Sequence, residues 1–154
     1  MTDHNIGRLF VAIQVVLLVA LIATPAADHW PTPRWLSVLG LVAILAGMIV
    51  VILATTRLGS ALTANPMPKE AAQLATAGFY AVVRHPIYSG VLLATIGVAV
   101  RSGNAATAAV GLVLVVFFHI KARWEETKLA AQYPDYQEYA RRTPRFVPGL
   151  RPRS

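Results

Sequence analysis

The chain has 154 residues, enough for one domain, and is 56% hydrophobic with only 14% charged residues, unusually apolar for a soluble domain. It has no cysteine, which excludes disulfides, thiolate nucleophiles and thiolate metal sites. The net charge of +7 invites a nucleic-acid partner, but the placement of that charge points to a membrane face instead.

A short polar tail over 1–8 precedes an uncharged run over 9–27. The run predicts a first membrane helix over about 8–27. It reads as a retained helix and not a cleavable leader, because no basic cluster precedes it and its apolar part is long. Gln14 is its one strongly polar interior residue. Residues 28–35 read as a tight external turn, where prolines break helix and tryptophans suit the headgroup interface. The uncharged run 35–56 predicts a second helix over about 36–56, with Gly40 and Gly47 available for close helix contact. Both runs are long enough for a hydrocarbon core of ~30 Å.

The connection over 57–85 is long for a compact protein, which favours a functional role. Asn65-Pro66-Met67-Pro68 signals a turn. The composition of 69–76 predicts a short helix that Gly78 ends. A third helix is expected over about 86–101, with Pro86 in its first turn. Its uncharged run rises only ~22 Å, so neighbours must shield it or the bilayer must thin. Residues 101–104 turn the chain, and a fourth helix is expected over about 104–123. A helical extension stopped at Pro134 and a short helix over 135–142 follow.

The expected fold class is therefore all-α: a polytopic bundle of four transmembrane helices with a cytoplasmic helical tail, one domain over 1–154. Of the 14 Lys and Arg residues, all but Arg34 and Arg101 fall on the face shared by both termini and the 57–85 connection. That bias puts both termini in the cytoplasm of a plasma or inner membrane. The basic tail suits anionic membrane lipids, so no nucleic acid is needed to explain the charge.

Two polar clusters interrupt this apolar pattern. One is Arg84-His85-Pro86-Ile-Tyr88-Ser-Gly90 at the start of the third helix; the other is Arg123-Trp-Glu125-Glu126 at the end of the fourth. With Gly103 as the hairpin tip, His85 and Glu125 come within ~6 Å of the same level. Arg84, His85, Glu125 and Glu126 can then meet at one mouth of the helix pair. Two readings fit: interfacial anchors with a structural salt bridge, or a pocket for a polar ligand. Tyr80 and Tyr88 fit either as interfacial aromatics or as stacking groups for a heterocycle. Glu125 and Glu126 point about 100° apart on a helix, so one can contact a ligand hydroxyl or amine while the other binds an Arg or Lys of the tail. His4, His29 and His119 are not at ligand spacing, and no metal site is assigned.

The stretch Leu74-Ala-Thr-Ala-Gly78-Phe-Tyr80-Ala-Val-Val-Arg84-His85-Pro86-Ile-Tyr88-Ser-Gly90, the Glu125-Glu126 pair, and Tyr133-Pro-Asp-Tyr136-Gln-Glu-Tyr139-Ala-Arg-Arg-Thr143-Pro-Arg-Phe146-Val-Pro148 together resemble the isoprenylcysteine carboxyl methyltransferase and phospholipid methyltransferase group. The resemblance covers about 63–150. It implies an integral membrane enzyme using S-adenosylmethionine at the cytosolic mouth of the last helix pair. By motif position it implies a cofactor site formed by His85, Pro86, Tyr88, Gly90, Glu125 and Glu126, flanked by Tyr80 and Gly78. Arg123 matches an arginine that in the group places the substrate. The expected acceptor is lipophilic or a small molecule.

Two rivals stand beside this reading. A membrane sterol or enone reductase shares a similar Arg-His-Pro-x-Tyr element but uses NADPH, whose extra phosphate prefers Arg and Lys over a Glu-Glu pair. A small transporter or scaffold would bind neither cofactor.

Overall fold

The computed structural model describes residues 3–58 and 74–150. Among these residues are six helices and no strand: α1 (Asp3–Ala23), α2 (Arg34–Leu58), α3 (Phe79–Val82), α4 (Pro86–Ser102), α5 (Ala105–Gln132) and α6 (Tyr136–Arg142). The all-α class is as expected. α1, α2 and α5 are long and apolar enough to cross a membrane, and α4 is a shorter apolar helix.

α1 begins at Asp3 instead of near residue 8. Asp3 places negative charge in the first turn, where the helix dipole favours it, and pairs with Lys128 of α5 at 2.8 Å. α1 also stops at Ala23, short of the expected 27. Pro25 biases Thr24 away from helix, and the Thr24 hydroxyl turns back to Ala20 O at 2.7 Å. The connection that follows is stitched to the tip of the α4–α5 hairpin. Ala27 N donates to Ser102 O at 2.8 Å, and His29 N to Gly103 O at 2.9 Å. Asn104 caps α5 by accepting from Ala106 N at 2.8 Å, while its amide donates to Pro25 O at 2.8 Å. Gly103 is left-handed, and a Cβ there would stand 2.3 Å from Ala27 O.

α2 and α4 pack antiparallel with their backbones in contact. Gly47 faces Gly90 and Gly40 faces Gly97. A Cβ on Gly47 would lie 2.4 Å from Gly90 O, and one on Gly97 would lie 2.4 Å from Gly40 O. The same seven-residue spacing on both helices keeps both pairs in register, the small-residue packing that brings membrane helices close.

α4 has 17 residues and α5 has 28, about 25 Å against about 42 Å. They share the tip at Gly103, so the last turns of α5 overhang the start of α4. The expected extension past residue 123 is continuous α5, which ends at Gln132 before Pro134. The overhang is closed by the segment after α6. Arg84 N donates to Pro144 O at 2.8 Å and His85 N to Arg145 O at 3.1 Å. Ser89 Oγ donates to Phe146 O at 2.7 Å.

The expected helix over 69–76 is not extended through 74–76, which are irregular; 69–73 and the 65–68 turn lie outside the described residues. Gly78 does not end a helix. It opens α3, with φ 64°, because its positive φ reverses the chain there.

The core joins Leu21, Leu114, Phe117 and Phe118, with Phe10, Leu17 and Tyr88 packed against it. The outward sides of α1, α2 and α5 expose Val16, Ile22, Val42, Ile49, Leu112 and Val116. Apolar faces this continuous are lipid-facing, and the helices satisfy their own backbone groups there. The molecule is an integral membrane helix bundle.

Candidate functional site

The site forms where α5 overhangs the first turn of α4. Pro86 occupies the first helical position of α4, with His85 as N-cap. No side-chain cap bond is made, so the His85 ring is free to turn towards α5. Its Nε2 stands 3.1 Å from Glu126 Oε1, and its Nδ1 stands 3.6 Å from Glu125 Oε2. The imidazole thus bridges adjacent carboxylates. An ionised carboxylate only accepts, so the contact with Glu126 calls for a proton on Nε2.

The two glutamates have different company. Glu126 receives Arg145 with two hydrogen bonds, Nε to Oε1 at 2.9 Å and a terminal nitrogen to Oε2 at 2.6 Å. Arg84 adds an ion pair at 3.5 Å. Glu126 is therefore saturated, the hub that ties α5, the start of α4 and the C-terminal segment together. Glu125 receives one strong donor, Tyr88 OH at 2.5 Å. The Tyr88 ring lies parallel to His85, with centroids 5.3 Å apart and 2° between planes. Adjacent glutamates diverge as the helix geometry requires.

Burial sharpens these contacts. His85 is 8% exposed and Glu125 9%, and in so dry a place charge interactions are stronger than in water. Glu126 beside Arg145 raises the pKa of that guanidinium, chiefly through their hydrogen bonds. Burial is also the main cause holding the phenols of Tyr80 and Tyr136 above their ordinary value, and it pushes Tyr139 up to about 12. Among the described residues, Arg84 Nε and Tyr136 OH are buried without a hydrogen-bond partner.

The structure distributes the expected site residues as follows. His85, Tyr88, Glu125 and Glu126 come together. Pro86 is buried as the start of α4. Gly90 packs on Gly47 of α2 and serves the helix contact. Tyr80 sits in α3, 8% exposed, with its carbonyl accepting from Tyr139 OH at 2.6 Å. Arg123 is exposed on the outside of α5, about 200° around the helix from Glu125. Among the described residues, no group of three His, Asp or Glu could hold a metal ion.

The expected Arg or Lys of the tail on one glutamate is Arg145 on Glu126; sequence reasoning did not single out Tyr136, whose approach depends on how the tail folds back. It also missed Lys121, which is 3% exposed and donates to Gln14 Oε1 at 2.6 Å. Only half of that pair was visible: Gln14 is the one strongly polar interior residue of its run, whereas Lys121 stands between His119 and Arg123 in a polar stretch.

Next to the cluster, across Tyr139, is a cavity of about 620 Å³ lined by Thr76, Ala81, Tyr133, Asp135, Tyr139 and Arg142 among others. Its size suits a small-molecule ligand. His85, Tyr88, Glu125 and Glu126 are not among the residues that line this cavity.

Residues 35–136 match the family model described as phospholipid methyltransferase. The match includes His85, Tyr88, Glu125 and Glu126 and ends before Arg145. The chain is 35% identical over 153 residues to a cobalt-zinc-cadmium resistance protein of Cupriavidus metallidurans, covering 97% of this chain and 66% of that protein. It is 32% identical over 154 residues to a nickel-cobalt-cadmium resistance protein of Alcaligenes xylosoxydans xylosoxydans, covering 97% and 67%. It is 35% identical over 125 residues to protein-S-isoprenylcysteine O-methyltransferase B of Arabidopsis thaliana, covering 79% and 61%. The chain thus spans about two thirds of the length of these relatives.

Proposed function

Because the chain belongs to the phospholipid methyltransferase family, we propose that it is an S-adenosylmethionine-dependent methyltransferase acting on a lipophilic or small-molecule acceptor at the membrane. The observation that carries this reading is the assembly of His85, Tyr88, Glu125 and Glu126 into one buried cluster.

The donor set fits the cofactor. S-adenosylmethionine carries a sulfonium, an ammonium, a carboxylate and ribose hydroxyls. Glu125 accepts from a neutral phenol and keeps lone pairs for an ammonium or hydroxyl. The Tyr88 ring is of the kind that attracts a cation, as the Lys121 ammonium 5.1 Å from its centroid illustrates. The orphaned Arg84 Nε is a donor for a carboxylate. When bound, the cofactor supplies a methyl group on a sulfonium.

The chain's own residues position and enclose. The C-terminal segment, held by Pro144, Arg145 and Phe146, excludes water from the His85–Glu125 pair. Holding two reactants in line accounts for much of such a rate without proton chemistry. The Glu125–Glu126 pair puts two carboxylates at the site, where the extra phosphate of NADPH prefers Arg and Lys, and this speaks against a reductase. The positive-inside bias supports a cytoplasmic location for this end of the bundle.

The test is thermal unfolding and titration calorimetry of the purified chain in detergent with S-adenosylmethionine, S-adenosylhomocysteine and NADPH. The first two should stabilise it, by about 2.7 kcal/mol at a hundred times Kd, and His85→Ala and Glu125→Ala should abolish this while remaining folded. Stabilisation by NADPH alone, or by none of the three, would reject the reading.

A further inference from the structure

The two carboxylates of the cluster are unequally supplied with positive charge. Glu126 holds two guanidinium groups, Arg145 at 2.6 Å and Arg84 at 3.5 Å. Glu125 holds neither. Its contacts are the Tyr88 hydroxyl at 2.5 Å and His85 Nδ1 at 3.6 Å, a phenol and an imidazole that carries charge only when protonated. Yet Glu125 is 9% exposed, and a carboxylate so dry keeps its charge only beside an opposite one.

The permanent cation that answers Glu125 is Lys121, one helical turn earlier on α5 and 3% exposed. The two attract each other, although among the described residues no direct ion pair joins Lys121 to a carboxylate. Tyr88 links them. Lys121 Nζ stands 5.1 Å from the centroid of its ring, and its hydroxyl donates to Glu125. A cation over the ring draws electron density from the phenol and makes its O–H a stronger donor. Gln14 Oε1 of α1 accepts from Nζ at 2.6 Å and holds the ammonium in place. The ring is fixed on other sides by His85 at 5.3 Å and Phe118 at 4.6 Å between centroids.

We propose that Lys121 is a positioning residue: acting through the Tyr88 ring, it supplies the counter-charge that keeps Glu125 an ionised acceptor for the cofactor. The proposal rests on the methyl-transfer reading above for the identity of that ligand.

The arrangement gives the two glutamates different tasks. Glu126, saturated by two arginines, fastens the C-terminal segment. Glu125, balanced by a cation that does not occupy its oxygens, stays open to an ammonium or a hydroxyl. A direct ion pair would fill that place; a cation one ring away balances the charge and leaves acceptor positions free. The other ionisable groups that act on Glu125 are His85 and Tyr88 at the start of α4, Tyr80 of α3 and Glu126 beside it, and none of these is a permanent cation.

The test is infrared spectroscopy of the full chain in detergent at neutral pH, read at the carbonyl stretch of a protonated carboxyl, with calorimetric titration of S-adenosylhomocysteine alongside. The wild type should show no such band that Glu125→Gln removes. Lys121→Met should gain one, and adding Glu125→Gln to it should remove that band again. Lys121→Arg should restore the wild-type spectrum, since a guanidinium also lies well on an aromatic face. Gln14→Leu should keep the wild-type spectrum, because the cation remains. S-adenosylhomocysteine should bind Lys121→Met about tenfold more weakly than wild type, and Lys121→Arg within about threefold of it. The proposal is overturned if folded Lys121→Met gains no Glu125 band, or if the wild type already has one. It is also overturned if Gln14→Leu gains the band as fully as Lys121→Met, the result for a mere latch between α1 and α5. If Lys121→Met does not fold, Lys121→Gln is read in its place under the same criteria. The expected spectra without any binding of S-adenosylhomocysteine to the wild type would uphold the coupling of Lys121 to Glu125 and count against the methyl-transfer reading alone.

Discussion

Arg145 and Glu126 form a two-pronged ion pair, with Nε on one carboxylate oxygen at 2.9 Å and a terminal nitrogen on the other at 2.6 Å. The pair fastens the segment after α6 to the overhanging end of α5. Arg145→Ala should cost about 2 kcal/mol, the scale of hydrogen bonds to charged groups. It should also expose the 141–145 region to trypsin in detergent. Arg145→Lys should restore only part, since an ammonium cannot match both oxygens. Unchanged protease resistance in Arg145→Ala would show that the segment is held by its backbone bonds alone.

Tyr88 does two things at once: its ring stacks on His85 and its hydroxyl donates to Glu125. Tyr88→Phe keeps the stack and removes the donor. The expected result is a fold retained at a cost of about 1–3 kcal/mol, with S-adenosylhomocysteine binding weakened about tenfold by calorimetry. Affinity equal to wild type would detach Glu125 from the cofactor.

Gly47→Ala should destabilise strongly, because its Cβ would press into Gly90 O at 2.4 Å across the α2–α4 contact. Overpacking of this kind costs about 1–3 kcal/mol or more. Gly111→Ala is the control: its nearest neighbour is the Thr95 methyl at 3.2 Å, on a side chain that can give. Thermal unfolding of the two variants in the same detergent compares them, and equal effects would refute the backbone-contact account.

The Tyr139 phenol, pushed up to about 12 by burial, should respond to alkali with a defined sign. In the unfolded chain it loses its proton near its ordinary 10.0, whereas in the fold it stays neutral. Stability from this group is therefore complete below pH 10 and falls as pH rises from 10 towards 12. Absorbance titration at the tyrosinate band should show a late-titrating phenol that Tyr139→Phe removes. A single transition near pH 10 in both proteins would contradict its burial.

How much of this was legible in the sequence follows from range. The uncharged runs announced the long helices, because lipid tolerates few charges over such a length. The meeting of His85 with Glu125 and Glu126 followed from counting residues on either side of Gly103, since helical rise is constant. Local details went astray where a distant contact decided them. Asp3 joins α1 because Lys128, far along the chain, lies beside it. Gly90 reads as a motif residue, and its close contact with Gly47 on another helix is a packing role that the motif alone does not announce. Lys121 counted as one more positive charge at the cytoplasmic face; only the packing of α1 on α5 shows it enclosed with Gln14. Arg145 closes on Glu126 through a fold-back of the tail that no periodicity encodes.

The mismatch between α4 and α5 works as a ruler. With the tip at Gly103 fixed to the loop after α1, the number of residues on each arm sets the height of the imidazole against its carboxylates. One added turn in α4 alone would shift His85 by about 5 Å along the helix axis relative to Glu125 and Glu126. The level of the His85 cluster along the bundle is thus recorded as a difference between two helix lengths, which neither arm can change alone without dismantling the cluster.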